Sequence, residues 1–282
     1  MDNLEYEKLS YRDENKWIIA NISDCTAVIE EMREVETFIY YFSELSAGRN
    51  LIRCGSCVVS MNIILGSAEL TVGSIISCCE AGCLADANTL LRKYSDDMFF
   101  YLYTCICNSQ EFILHDSRDS RKMLNNIERW ISNKLANLNI GEIMREIGNS
   151  ARIRETVRKY NLKAYFDKIG SRLNDYVHGN GIAYYNKGVS WYYKGEFVEC
   201  LKTISHDMHF ITVAFLMLIT MHSPLSIMAT EYMDYIDCEM TPPEGSQYLV
   251  APFVEEFLRK NIGLIDSDGI AYLKAKTFMK FE

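Results

Sequence analysis

The chain has 282 residues, 49% of them hydrophobic and 24% charged, and a formal net charge of −9. That hydrophobic share excludes wholesale disorder, the length allows one large domain or two small ones, and the acidic total argues against binding nucleic acid over the whole surface. With only 4 Pro and 15 Gly, the chain lacks the turn signals a β-sandwich needs every 8–12 residues or so. An all-α (mainly α) multi-helix bundle is predicted.

The first residues, Met-Asp-Asn-Leu-Glu-Tyr-Glu-Lys, are acidic and lack an apolar stretch, so no secretory signal is expected. A helix is predicted over 24–46, with Asp24 as its N-cap and Ile29, Met32, Val35 and Ile39 near helical spacing. Residues 51–81 are small and apolar (Cys57, Val58, Val59, Ile63, Ile64, Leu65) and suit a tightly packed central helix, weakened by Gly66 and Gly73. Cys54-Gly-Ser-Cys57 has the spacing of redox and zinc sites. A thioredoxin-like site needs a βαβ context and a zinc site a second pair, so core cysteines are expected instead. The ten cysteines are expected as free thiols in a reducing cytoplasm.

Residues 83–108 give the strongest helical pattern, with Leu84, Ala87, Leu91, Met98, Leu102, Cys105 and Ile106 on a wide apolar face. Arg92 and Asp96 stand one turn apart on it, an intrahelical ion pair or a polar wall facing another helix. More basic helices follow over 119–137 and 141–159. From Arg118 to Arg172, thirteen Lys and Arg stand against six Asp and Glu, so this stretch carries +7 within a chain of −9. Solvated helix faces explain that, and so does a surface that attracts a polyanion.

Asn161 opens a helix expected to end near Val177, its apolar positions recurring at steps of three and four, and Gly179-Asn180-Gly181 stops it. A short β-hairpin is predicted over 182–193, where two aromatic runs flank Asn186-Lys187-Gly188. Residues 196–222 read as one buried helix. Its most apolar part, Phe210 to Met221, falls short of the about 20 residues that span a bilayer, so no membrane is expected. His206 and His209 with Asp207 could hold a metal or be satisfied core histidines, and no metal site is expected. Further helices are predicted around 252–260 and after Gly269. The division is a bundle over 1–222 and a small helical extension over 223–282.

Arg172 and His178 carry the sharpest chemistry. A guanidinium gives permanent, bidentate contact to phosphate, and an imidazole moves protons near neutral pH. Together they suit metal-free RNA cleavage by the ribose 2′-OH. Six helical residues leave them about 240° apart, so convergence relies on the glycine stop bending the chain back. The alternative is Arg172 paired with Asp175 and His178 closing the helix C-terminus.

The run Arg172-Leu-Asn-Asp-Tyr-Val-His178 resembles the Arg-x4–6-His motif of the HEPN superfamily, helical-bundle proteins that include many prokaryotic toxin and defence ribonucleases. Many members carry a polar residue directly after the Arg; here Leu173 stands there and Asn174 follows. The resemblance implies a cytoplasmic, metal-independent endoribonuclease of toxin or antiviral-defence type, with no cofactor, a homodimer, RNA as substrate, and an antitoxin or regulatory protein as a further partner. Arg172 would stabilise the transition state, His178 act as base or acid, and Asn174, Asp175 and Asp96 orient the site. Arg152, Arg158, Lys163 and Lys168 in the basic stretch would hold the strand. A non-catalytic helical interaction or ligand-binding module is the competing reading, and a metal enzyme built on His206 and His209 a third.

Overall fold

The computed structural model describes residues 11–54, 56–109, 126–132, 134, 140–178 and 194–281. The protein is mainly α. Its elements are α1 (Tyr11–Asn21), α2 (Ser23–Leu45), β1 (Leu51–Cys54), β2 (Cys57–Ser60), α3 (Asn62–Glu80), α4 (Leu84–Asn108), α5 (Ile140–Asn149), α6 (Arg154–Lys159), α7 (Leu162–Val177) and α8 (Lys194–His222). After α8 come α9 (Glu231–Asp237), α10 (Pro252–Asn261) and α11 (Gly269–Lys276).

The middle helix is α8. Leu201, Ile204, Met208 and every residue from Phe210 to Ile219 are buried, because a helix apolar on all sides must be wrapped by others. α2 and α4 pack on it, and α3 fills the space beside them. α2 presents Cys25, Val28, Met32, Val35, Ile39 and Phe42 inward at helical spacing. Phe42 meets Phe215 of α8 edge to face at 5.6 Å, and Phe38 stacks on Phe257 of α10 at 4.2 Å. Two core hydroxyls satisfy each other: Tyr94 Oη of α4 lies 2.6 Å from Thr212 Oγ1 of α8.

α3 and α4 join through Gly82 at φ +71°, where a Cβ would lie 2.2 Å from the Asn15 Cβ. Only glycine fits both the left-handed turn and that close approach. The segment 224–281 shares the same core rather than forming one of its own. Arg49, after α2, holds it by donating to the carbonyls of Leu225 (2.9 Å), Ser226 and Met228 (both 3.3 Å).

Three local expectations change, and a fourth falls on residues that are not described. The central helix expected over 51–81 divides into a two-stranded antiparallel hairpin, Leu51–Cys54 paired with Cys57–Ser60, followed by α3. Residue preference explains it: Ile52, Val58 and Val59 are β-branched and flank the two-residue step Gly55-Ser56. The hairpin expected over 182–193 and the stop at 179–181 lie outside the described residues. α2 opens at Ile22 with no side-chain cap from Asp24, and Asn161 starts α7 in the left-handed region, φ +49°, without capping it.

Among the described residues, two helices are long and apolar enough to cross a membrane, α3 and residues 197–222 of α8. The α8 window is 89% buried inside the protein, as a core helix would be.

Phe42→Ala should lower the free energy of unfolding by about 3–5 kcal/mol in a urea titration. Leu70→Ala, on the exposed side of α3, should stay within about 0.5 kcal/mol.

Candidate functional site

α7 carries the sequence-predicted pair, and its rotation decides what the pair can do. Its buried residues are Leu162, Ile169, Leu173 and Tyr176, which face α4 and the rest of the core. Arg172 leaves this face sideways. It donates from Nη1 to Asn88 Oδ1 of α4 at 2.9 Å and from Nη2 to the Asp207 carboxylate of α8. Asp207 is 5% exposed, so its charge needs a permanently cationic partner, which α8, offering only the titratable His206, does not supply.

The pairing of Arg172 with Asp175 does not form; Asp175 is exposed and Arg172 turns inward to Asp207. α7 stays helical through Val177, with His178 as its C-cap donating its backbone N–H to Asn174 O at 3.0 Å. Arg172 and the exposed His178 therefore stand on different sides of α7.

Asp207 also accepts from His206, Nδ1 to Oδ1 at 3.2 Å. That hydrogen bond raises the His206 imidazole above its ordinary value, against partial burial and the charges of Arg172 and Lys168. Lys168 thus belongs to this side of α7. His209 is buried and contacts the Ser205 carbonyl through Nδ1 at 2.8 Å. The two histidines have separate partners, and no group of three or more metal-binding side chains occurs among the described residues.

The opposite side of α7 borders a cleft of about 850 Å³ between α4, α5, α6 and α7. Arg92 and Asp96 enter it from α4, Arg145 from α5, Arg158 from α6, and Lys163, Asp167 and Asn174 from α7. Four cations face two carboxylates. The floor is apolar: Phe99 and Phe166 meet at 4.4 Å, with Met144 and Leu218 beside them. Arg92 pairs with Asp96 at 3.2 Å, Arg145 with Glu146 at 3.1 Å, and Lys163 with Asp167. Arg158 is exposed. Burial pushes the Asp96 carboxyl above the usual carboxylate range, although Arg92 opposes this. Gly170 lets the helices approach here, since a Cβ would lie 2.8 Å from Arg92 Nη1.

Of the expected site residues, Asp96, Asn174, Arg158 and Lys163 converge on this cleft, and Arg172, Asp175 and Lys168 do not. Arg152 is elsewhere, donating to the His222 carbonyl at the end of α8 at 2.9 Å, where a cation favours the helix terminus. Nor can Asp96 orient His178. The contacts Gly170–Arg92 and Arg172–Asn88 make α4 and α7 antiparallel. His178 lies roughly 9 Å past Arg172 along α7, and Asp96 lies roughly 12 Å from Asn88 the other way along α4. Arg92 was legible as half of an ion pair or as part of a polar wall facing another helix, and Arg145 and the aromatic floor were missed. A basic residue facing Arg92 across an apolar floor has no mark in sequence.

A second concavity, of about 1000 Å³, lies among α9, α10 and the turn before α10, with Glu231, Glu255, Glu256, Arg259 and Lys260 around it. Its three carboxylates outnumber its two cations, which are engaged by Glu255 and Glu34. It offers an anion little. No family model, curated protein or solved structure matches the chain.

Asp207→Asn tests the buried tie. It should lower unfolding free energy by roughly 1–3 kcal/mol, because Arg172 is 28% exposed and recovers some solvation. By NMR, His206 should titrate above 6.5 in the native protein and fall toward that value in the variant. Since folding raises its value, the imidazolium–carboxylate contact adds stability at acidic pH and loses it as pH climbs through the raised value.

Proposed function

We propose that this chain is an RNA-acting protein of HEPN type, a metal-independent endoribonuclease that binds a single strand in the α4/α5/α6/α7 cleft. The observation that carries the RNA reading is the convergence of Arg92, Arg145, Arg158 and Lys163 over an apolar floor. Phosphates take the cations and a base or ribose takes the floor, the combination that binds single strands without a sequence code. The cleft volume is in the range of small-ligand sites.

The division of labour differs from the motif alone. Arg172 ties α7 to α4 and α8, and the cleft arginines hold phosphate in its place. Asn174, which lines the cleft, and His178 differ by about 40° around α7. His178 therefore extends the cleft side of that helix and supplies the proton transfer. A homodimer, a toxin or antiviral-defence role in the cytoplasm, and control by an antitoxin or regulatory protein accompany this reading through the resemblance.

A second reading has its own support. The Arg172 guanidinium is committed to Asn88 and Asp207, which fits a bundle that binds RNA or another phosphate ligand without cutting it.

Fluorescence anisotropy with labelled single-stranded RNA, and a cleavage assay in EDTA, separate the two. Wild type should bind, and lose affinity steeply between about 50 and 200 mM salt. Arg158→Ala should weaken binding about three- to tenfold and Asp96→Asn tighten it by a similar factor, as expected for one charge near the ligand. Gly170→Ala should weaken binding by displacing the Arg92 guanidinium while leaving the unfolding midpoint intact. Cleavage in EDTA that Arg158→Ala slows and His178→Ala abolishes supports the enzyme. Binding without cleavage supports the second reading. Binding indifferent to Arg158, Asp96 and salt would remove the cleft from both. Loss of cleavage in Arg172→Lys at an unchanged unfolding midpoint would return Arg172 to the chemistry.

A further inference from the structure

The Cys54-Gly-Ser-Cys57 run does not sit in the core. Cys54 ends β1, Cys57 begins β2, and the strand register pairs them directly, Cys54 opposite Cys57. Cys57 is exposed and Cys54 partly so; both are free thiols. Directly paired residues of an antiparallel ladder put their side chains on the same face, with Cα atoms about 4.5 or 5.5 Å apart according to the pair type. Both values fall inside the roughly 4.4–6.8 Å that a disulfide spans. The two thiols therefore stand on one face of the hairpin within reach of each other.

From this juxtaposition we infer a redox-active dithiol, a modification site at the hairpin tip that forms the Cys54–Cys57 disulfide by exchange with a small disulfide such as oxidised glutathione. The Cys57 thiolate attacks one glutathione sulfur, forming a mixed disulfide and releasing the first glutathione thiolate. The Cys54 thiolate then attacks the Cys57 sulfur and releases the second. Two electrons pass to the oxidised glutathione, and the two thiol protons go to solvent or to the released thiolates. The bond closes a loop of four residues only, so it restricts the unfolded chain little and reverses readily.

Oxidation also has a structural consequence. In the dithiol form the Cys54 thiol donates to the Glu128 carbonyl at 3.8 Å, within the helical residues 126–131. The disulfide has no such proton, so the hairpin releases that carbonyl. The remaining cysteines provide contrast. Burial raises the thiols of Cys79, Cys105 and Cys107, the second to about 12, which keeps them protonated and slow to exchange. Cys238 is exposed but has no opposed cysteine.

The test uses the full chain, reduced, desalted and exposed to rising ratios of oxidised to reduced glutathione. It is then quenched with an alkylating agent and mapped by fragmentation mass spectrometry. Cys54 and Cys57 should lose two hydrogens as a pair and lose alkylation together, while Cys238 takes up glutathione alone. In Cys54→Ser, Cys57 should stop at the glutathione adduct. The wild-type map needs no variant, so it decides the matter even where Cys54→Ser disturbs the contact to residue 128. Phenylarsine oxide, which bridges two close thiols, should protect Cys54 and Cys57 of the reduced wild type from alkylation together and leave Cys54 unprotected in Cys57→Ser. A lasting glutathione adduct on wild-type Cys57, or both thiols alkylating freely at every ratio, would overturn the inference.

Discussion

A buried carboxylate stands on the core helix, and much of the arrangement around it follows. Asp207 lies on α8, the helix the rest of the bundle wraps, with scarcely any exposure. A buried ion without a partner is untenable, so Arg172 must come in from α7, and Asn88 of α4 completes its coordination. Three helices are thereby fixed in rotation by one charge. Fixing α7 sends Lys163, Gly170 and Asn174 to the opposite side, where the cleft is. The same rotation that satisfies Arg172 separates it from His178.

That division shows what the sequence could and could not carry. The apolar spacing of α2, α4, α7 and α8 marked each helix to within a few residues, because periodic burial is a local signal. The mainly helical class followed. The hairpin at 51–60 escaped because its apolar run is compatible with helix or strand, and the deciding features, β-branched Ile52, Val58 and Val59 about Gly55-Ser56, were outweighed by the helical reading of the residues after them. Cys54 and Cys57, expected in the core, stand partly exposed and exposed for the same reason.

The site was half legible. Arg158, Lys163, Asp96 and Asn174 were singled out for charge or for closeness to a motif, and they meet in one cleft. Arg172 was singled out too, but its partners lie 35 and 84 residues away along the chain, and nothing local announces them. A short motif constrains which side chains exist, whereas a fold decides which of them face each other. Asp207 drew notice only as the residue between two histidines, a place on α8 that conceals its inward direction.

The acidity of the chain and the basicity of the cleft belong to one argument. At physiological salt, charges farther apart than about 8 Å barely feel one another. The negative remainder of the molecule would therefore do little to weaken a phosphate held, as proposed, by Arg158 and its neighbours. Over the rest of the surface the excess carboxylates face an approaching polyanion directly and repel it. On the proposed reading, local attraction set in general repulsion would confine RNA binding to one place without any base-specific contact, since every other landing is disfavoured. A uniformly basic protein with the same cleft would bind RNA more tightly and with less discrimination. Within the cleft, Asp96 and Asp167 repeat the principle at shorter range. Each engages a cation that would otherwise bind any anion, so a ligand must offer phosphates placed well enough to displace those carboxylates. If the proposed RNA site is correct, affinity given up in this way is returned as selectivity for a phosphate-bearing strand that reaches several cations at once.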